Sequence, residues 1–189
     1  AAAHGKSPAQ VVLRWHIQNH NIVFPKTMSP QRMRENFAIF DFVLDDAAMA
    51  AIALWFHAHY GFGLNASPSL PHRLYLIHKG EMPSRGDFVA FRWAGGGPYP
   101  AGVTFIKVLA GMPGDEVTRD ARGFHLNGVP VGVPKPVSRQ GQVLEPGPTG
   151  QIPEGRYYVQ AGHPDSLDSR YRLTGWIHAS QIIGRADAL

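Results

Sequence analysis

The pattern of apolar residues changes near residue 60 of this 189-residue chain. The first part repeats its apolar residues at helical spacing, as in "AQVVLRWHIQ". The second part consists of short apolar alternations, such as "LYLI", "FVAF" and "VTFIKVL", bounded by Gly, Pro, Asn or Asp. Because a helical unit and a meandering β unit rarely share one sheet, we predict a boundary between Trp55 and Gly61, with domains at residues 1–56 and 57–189.

The first domain is predicted to have an αβα arrangement. Ser7 and Ser29, each followed by proline, are typical of helix N-caps with proline at the first helical position. Asp45 is a third candidate cap, in front of "DAAMAAIALW". Between the first two helices, "NIVFP" is a short apolar run that Pro25 ends, which predicts a buried strand.

The second domain is predicted to be mainly β, with antiparallel sheets and hairpins. The clearest signal is Asn127-Gly128 in "FHLNGVPVG", because this pair between two short strands is typical of a two-residue hairpin turn. The segment "VSRQGQVLEPGPTGQIPEG" is too polar and too rich in Pro and Gly for a core element, so we interpret it as a surface excursion. The predicted fold class is therefore mainly β with an α-rich αβα appendage at its N-terminal end.

Composition excludes several classes of protein. The chain has no cysteine, which excludes a disulfide framework, a thiol nucleophile and a cysteine zinc site but leaves both periplasm and cytosol open. The formal net charge is +4, but Lys and Arg are scattered without a run, so nucleic acid is not an expected partner. His57 and His59 lack a recognisable third ligand motif, so no metal is expected.

Residues 47–71 contain no Lys, Arg, Asp or Glu and are rich in Ala, Leu, Trp and Phe. Such a stretch belongs either in a core or at a lipid surface. We favour the core, because His57, His59 and Asn65 interrupt it. The sequence contains neither an apolar span of about 18 residues nor the layout of a signal peptide.

The segments "SPAQVVLRWHIQ" and "IVFPKTMSPQRMRENFAIFDFVLDDAAMAAI" resemble the C-terminal end of an aldo-keto reductase, a (β/α)8 barrel that uses NADPH. Matching positions imply contacts to the adenosine phosphate from Lys26, Thr27, Arg32, Glu35 and Asn36. Lys and Arg near a capped helix start suit a phosphate. The family's catalytic residues belong to earlier parts of the barrel, so we expect no reductase function and no cofactor.

Lys107 is a candidate general base. A lysine acts as a base when burial lowers its pKa, because an apolar environment disfavours the ammonium form. Lys107 lies inside the apolar run "VTFIKVL", whereas Lys79 and Lys135 lie beside Gly or Pro. The alternative is that Lys107 points to solvent from the outer face of a sheet.

Four motifs from residue 61 onward occur in a recognisable order: "SPSLP", "RGDFVAF", "KVLAGMPGDEV" and "SLDSRYRLTGWIHASQIIGRA". They resemble type I signal peptidases, and within these the TraF-type conjugative-transfer peptidases, over residues 61–188. The resemblance implies that Ser69 is the nucleophile and Lys107 the general base. The hydroxyl of Ser67 and the backbone N–H of Ser69 would then form the oxyanion hole.

The closing motif implies supporting residues. Ser166 matches a serine that orients the lysine amine, and Asp168 and Arg170 match an ion pair that supports the site. His163 and Asp165, in the same loop, are either aids to proton transfer or ordinary solvated residues.

The resemblance predicts a serine endopeptidase with a Ser/Lys dyad that processes a membrane-held precursor. That precursor would be a signal-peptide-bearing protein or a conjugative pilin subunit, and for the pilin the product would be either linear or cyclic. We expect contact with a membrane surface at the periplasmic face of the bacterial inner membrane, with the family's usual anchor absent or replaced. The alternatives are an inactive binding or structural module of a conjugation or secretion apparatus, and an NADPH-binding reductase remnant.

Overall fold

The computed structural model describes all residues, 1–189, and the chain divides into two compact units, Ala1–Ala58 and His59–Leu189. The regular elements of the first unit are helices, and those of the second unit are nearly all strands. None of the helices has the length and apolar character that crossing a bilayer requires.

The first unit contains a short 3-10 helix and three α-helices: Ala2–His4, α1 (Pro8–Gln18), α2 (Pro30–Phe37) and α3 (Asp46–His59), whose last residue belongs to the second unit. Each α-helix begins at its predicted cap. The Ser7 hydroxyl accepts a hydrogen bond from the backbone N–H of Gln10, and the Ser29 hydroxyl accepts one from Arg32. The Asp45 carboxylate accepts one from the N–H of Ala48 at 2.7 Å.

The strand predicted at "NIVFP" is wrong. Residues 21–29 contain no helix or strand, and the side chains of Ile22 and Phe24 are 82% and 89% exposed. A strand needs a neighbour for its backbone N–H and C=O groups, and the first unit holds no other strand with which this segment would pair. The appendage is therefore α-rich, but it is not αβα.

The core interpretation of the uncharged stretch is wrong for its helical part. No residue of α3 is buried, and the side chains of Leu54 and Trp55 are 69% and 55% exposed. The apolar residues of α3 are distributed around the whole helix, so no single face carries them.

Eleven strands build the second unit. The first sheet consists of β1 (Tyr60–Leu64), β2 (Leu74–Lys79), β3 (Phe88–Arg92), β4 (Thr104–Gly111), β9 (Arg156–Gln160), β10 (Ile177–His178) and β11 (Ile182–Ala188). The second consists of β5 (Glu116–Asp120), β6 (Gly123–Leu126), β7 (Val129–Gly132) and β8 (Gly150–Gln151). Their orders are β1-β2-β11-β3-β4-β9-β10 and β7-β6-β5-β8, and every pairing is antiparallel.

The last strand, β11, closes the larger sheet by lying between β2 and β3. At Gly184 the register with β3 shifts, and a Cβ there would lie 1.8 Å from the carbonyl oxygen of His78. Only glycine permits this approach of two backbones. The core of the sheet lies around β3, β4 and β9, where Val89, Leu109 and Val159 are fully buried.

The hairpin predicted at Asn127-Gly128 joins β6 to β7. Both residues have positive φ angles, 49° and 79°, as a type I′ turn requires. Together with the antiparallel sheets and the helical N-terminal part, this hairpin confirms the predicted fold class in all but the strand of the appendage.

Candidate active site

A cavity of about 380 Å³ lies in the second unit. Ser67, Ser69, Lys107 and Ser166 all line it. The structure therefore brings four of the predicted site residues to one place, although they come from three separate segments of the chain.

The two serines lie in the turn between β1 and β2, here called the serine loop and defined as residues 66–72. Ser69 is 8% exposed and Ser67 is exposed. Their hydroxyl oxygens are 2.9 Å apart. Just before the loop, a Cβ at Gly63 would lie 2.5 Å from Cδ1 of Ile106, so glycine leaves room for β1 beside the residue that precedes Lys107.

Lys107 lies in β4 and is only 6% exposed, so it does not point to solvent. Its Nζ donates a hydrogen bond of 2.7 Å to the hydroxyl oxygen of Ser166. Burial lowers the pKa of Lys107 to about 8; the negative charge of Asp168 opposes this change and the positive charge of Arg170 adds to it. At mildly alkaline pH a substantial fraction of this amine is therefore neutral and able to accept a proton.

Asp168 and Arg170 form a buried ion pair below the lysine. The Nε and Nη2 of Arg170 donate to the two carboxylate oxygens of Asp168, each at 2.8 Å. The backbone N–H of Ala161 donates to the same carboxylate at 3.1 Å, and Arg170 Nη2 also donates to the carbonyl oxygen of His163 at 3.2 Å. These hydrogen bonds offset the cost of removing the two charges from water, which a buried ion pair requires.

Lys107 donates to Ser166 and makes no hydrogen bond to Ser69. The hydroxyl of Ser69 instead lies 3.3 Å from Oδ1 of Asn65, as well as beside Ser67. Nucleophile-to-base hydrogen bonds often form only when substrate is bound. Ser69 and Lys107, the candidate nucleophile and the candidate base, therefore lie in one cavity without a hydrogen bond between them.

Asp165 is an ion-pair partner rather than a proton carrier. Its carboxylate accepts hydrogen bonds from Lys135 and from Nε of Arg139, the latter at 2.8 Å. These two cations hold the pKa of Asp165 below its usual range. His163 accepts a hydrogen bond through Nδ1 from the N–H of Asp165 at 3.2 Å. Asp165 thus ties the loop before Ser166 to the neighbouring segment.

That segment is the beginning of the predicted surface excursion. Val137 and Arg139 are exposed, yet both line the cavity, as do Lys135 and Leu144. The prediction of a surface excursion is wrong near its end, where Gly150–Gln151 form β8 and Ile152 is buried in the core. Sequence reasoning also missed that the beginning of this segment forms one wall of the site. It also missed Asn65. An Asn in a turn often accepts a hydrogen bond through its side chain from the backbone N–H two residues later, which here is that of Ser67.

The residues matched to a nucleotide site all lie in the first unit. Lys26 and Thr27 are in the segment before α2, and Arg32, Glu35 and Asn36 are in α2. The hydroxyl of Thr27 accepts from the N–H of Ser29, and the Glu35 carboxylate accepts from Gln31, so both side chains have local partners.

Comparison with known families decides what kind of protein carries this cavity. The model of the family "Signal peptidase, peptidase S26" matches residues 36–189. The chain belongs to the peptidase S26 family. This match confirms the predicted resemblance to signal peptidases.

A second family model, that of the aldo/keto reductases, matches residues 1–54 and confirms the resemblance of the N-terminal segment. Morphine 6-dehydrogenase of Pseudomonas putida is 52% identical over 52 residues, 28% of this chain and 18% of that protein. Methylglyoxal reductase DkgA of Escherichia coli is 45% identical over 53 residues, 28% of this chain and 19% of that protein. The chain thus spans about a fifth of the length of these curated relatives.

Among solved structures, a signal peptidase I from Enterococcus faecalis is 26% identical to this S26 peptidase, with a TM-score of 0.38. The match covers 56% of this chain and 97% of that one.

Proposed function

We propose that this S26 peptidase is a serine endopeptidase in which Ser69 is the nucleophile and Lys107 the general base. The observation that carries the proposal is the burial of Lys107 in the wall of the cavity that Ser69 also lines, with its pKa lowered to about 8. A lysine on the outer face of a sheet would keep its charge and would not serve as a base.

The reaction begins with proton transfer from Ser69 to neutral Lys107. The Ser69 oxygen forms a bond to the carbonyl carbon of the scissile peptide, and the carbonyl oxygen takes up the negative charge. Lys107, now an ammonium, returns the proton to the amine nitrogen as the C–N bond breaks. Water then attacks the acyl-enzyme and gives a proton to Lys107. The bond between the acyl carbon and the Ser69 oxygen breaks, and Lys107 returns the proton to Ser69 as the acid product leaves.

Two further serines have distinct tasks in this proposal. The Ser67 hydroxyl, 2.9 Å from the Ser69 oxygen, is placed to turn its hydrogen toward the oxyanion beside the N–H of Ser69. Ser166 holds the Lys107 amine at the wall of the cavity through the 2.7 Å bond. The Asp168 and Arg170 pair fixes the loop that carries Ser166.

The substrate in this proposal is a membrane-held precursor, either a protein with a signal peptide or a conjugative pilin subunit. The four motifs that resemble TraF-type enzymes support the pilin, and the periplasmic face of the inner membrane is the corresponding location. If the amine of the substrate replaces water in the second step, the product is cyclic. Atom balance then requires the product to be lighter by one water than the linear product.

Two probes test the proposal on the full chain. The first is p-nitrophenyl acetate, from which we expect a burst of p-nitrophenolate and acetyl-Ser69 in the peptide map. The second is a synthetic precursor peptide in detergent micelles, with an apolar segment followed by small residues, whose products are identified by mass spectrometry.

Ser69→Ala and Lys107→Ala are expected to abolish both signals. Ser84→Ala, which changes an exposed serine outside the cavity, is the matched control and is expected to behave as the parent. Absence of a burst in the folded parent would overturn the dyad and favour the inactive binding module. A burst that survives in Ser69→Ala would also overturn the dyad, because it would show that another residue is acylated.

A further inference from the structure

The side chain of Asn65 makes hydrogen bonds to both ends of the serine loop. Its Nδ2 donates to the carbonyl oxygens of Leu70 and His72, at 3.3 and 3.2 Å. Its Oδ1 lies 3.1 Å from the Ser67 hydroxyl oxygen and 3.3 Å from the Ser69 hydroxyl oxygen. A side-chain amide has two N–H donors and two oxygen lone pairs. Nearly all of the hydrogen bonds that the Asn65 side chain is able to make therefore go to the serine loop.

The sheet fixes the position from which Asn65 acts. Leu64, the preceding residue, is the last of β1 and pairs with Leu74 of β2. The backbone N–H of Asn65 then donates to the carbonyl oxygen of Arg73 at 2.8 Å, which continues the ladder by one residue. Asn65 is therefore held by backbone pairing, and its side chain is free to hold the loop.

The contacts of Asn65 also determine where two hydroxyl hydrogens point. Each serine has one hydrogen to donate. Ser69 donates to Asn65 Oδ1, while Ser67 donates either to the same Oδ1 or to the oxygen of Ser69. In both arrangements the two oxygens stay side by side, and reaction requires only that the hydrogens turn.

We propose that Asn65 is a positioning residue for the Ser69 nucleophile. It keeps the oxygens of Ser67 and Ser69 in place, so that the Ser69 hydrogen turns to neutral Lys107 and the Ser67 hydrogen to the oxyanion. This inference rests on the proposed function. Displacement of a reacting atom by about 1 Å costs up to about a hundredfold in rate, which sets the size of the expected effect.

Alanine and aspartate at position 65 would lack some of the hydrogen bonds that Asn65 makes to the serine loop. Alanine removes every side-chain contact to the loop. Aspartate has nearly the same size and keeps an acceptor for Ser67 and Ser69, but it places a negative oxygen against the carbonyl oxygens of Leu70 and His72 in place of the two N–H groups.

The test measures the burst rate of p-nitrophenolate from p-nitrophenyl acetate with the full chain, with Asn65→Ala and with Asn65→Asp. Asn19→Ala is the matched control, because it removes an exposed asparagine whose amide donates to the carbonyl oxygen of Trp15 at 2.8 Å. Rates are taken per folded molecule, at a temperature at which circular dichroism shows each variant to be folded.

We expect both Asn65 variants to react about 10- to 100-fold more slowly than the parent with an unchanged burst amplitude, and Asn65→Ala to keep the pH midpoint of the parent. Asn19→Ala is expected to react as the parent. A purely structural role would lower the melting temperature and leave the rate per folded molecule unchanged.

If Asn65→Ala reacts as fast as the parent or faster, the inference is overturned. If Asn65→Ala does not fold, the rate of Asn65→Asp decides the question by the same criterion. The two proposals fail differently. Absence of a burst in the parent removes the dyad, whereas a parent burst with undiminished Asn65 variants removes only the role of Asn65.

Discussion

The Nζ of Lys107 and the hydroxyl oxygen of Ser166 are 2.7 Å apart, although 59 positions separate them in the chain. Both side chains are buried, and both face the cavity that Ser69 lines. The hydrogen bond to Ser166 orients the buried amine of Lys107. A general base needs such an orientation in order to take the proton of its nucleophile.

Ser166→Ala is expected to lower kcat about 10- to 100-fold with little change in KM, because the amine of Lys107 loses its fixed partner while the rest of the cavity keeps its shape. Steady-state kinetics with the precursor peptide measure this. Ser84→Ala, an exposed serine outside the cavity, serves as the control. A rise in KM at constant kcat would instead assign Ser166 to substrate binding.

The rate of acylation is expected to rise with pH and to reach half of its maximum near pH 8, because burial lowers the pKa of Lys107 to about 8. Below that pH the amine carries a proton and cannot accept one, and above it the neutral form predominates. Burst rates between about pH 6 and pH 10 test this profile, since an exposed lysine would reach half-maximum only near the ordinary lysine pKa of about 10.4. A flat profile would contradict the assignment of Lys107 as the base.

Ser67→Ala is expected to lower kcat about 10²- to 10³-fold, because the oxyanion loses one of its two fixed donors. If Ser67 served only in the turn, the same change would leave kcat near the parent value. Ser67→Thr keeps a hydroxyl and is expected to retain part of the rate. Single-turnover measurements with the precursor peptide separate these outcomes.

Asp168→Ala is expected to lower the free energy of unfolding by about 3–5 kcal/mol, because it leaves the buried guanidinium of Arg170 without its counter-charge. The matched control is Glu145→Ala, which breaks an exposed pair with Arg172 and is expected to cost less than about 1 kcal/mol. Urea unfolding followed by tryptophan fluorescence measures both. Equal losses for the two variants would show that burial of the first pair has no energetic effect.

Local features of the fold were predictable from short stretches of sequence. The caps at Ser7, Ser29 and Asp45 and the turn at Asn127-Gly128 depend on residues that are neighbours in the chain. The strand at "NIVFP" was predicted wrongly because pairing depends on a partner, and apolar sequence alone does not supply one.

Long-range features were out of reach of the sequence. Nothing in "IIGRADA" shows that β11 lies between β2 and β3, because that position is decided by backbone pairing with both strands. The role of Asn65 was missed for a related reason, since its partners Leu70 and His72 are identified only once the loop has closed. Residues of the site were recognised as motifs, but their contacts had to come from the folded chain.

The insertion of β11 between β2 and β3 bears on when this protein becomes able to cut. β2 follows the serine loop and β3 pairs with the strand of Lys107, so the two halves of the proposed dyad share a sheet only after the C-terminal strand has docked. A chain in which β11 has not docked would carry the serine and lysine motifs and yet be unable to attack its neighbours. Competence for cleavage would then arrive with the docking of this one strand, and cleavage itself would report that the larger sheet has formed.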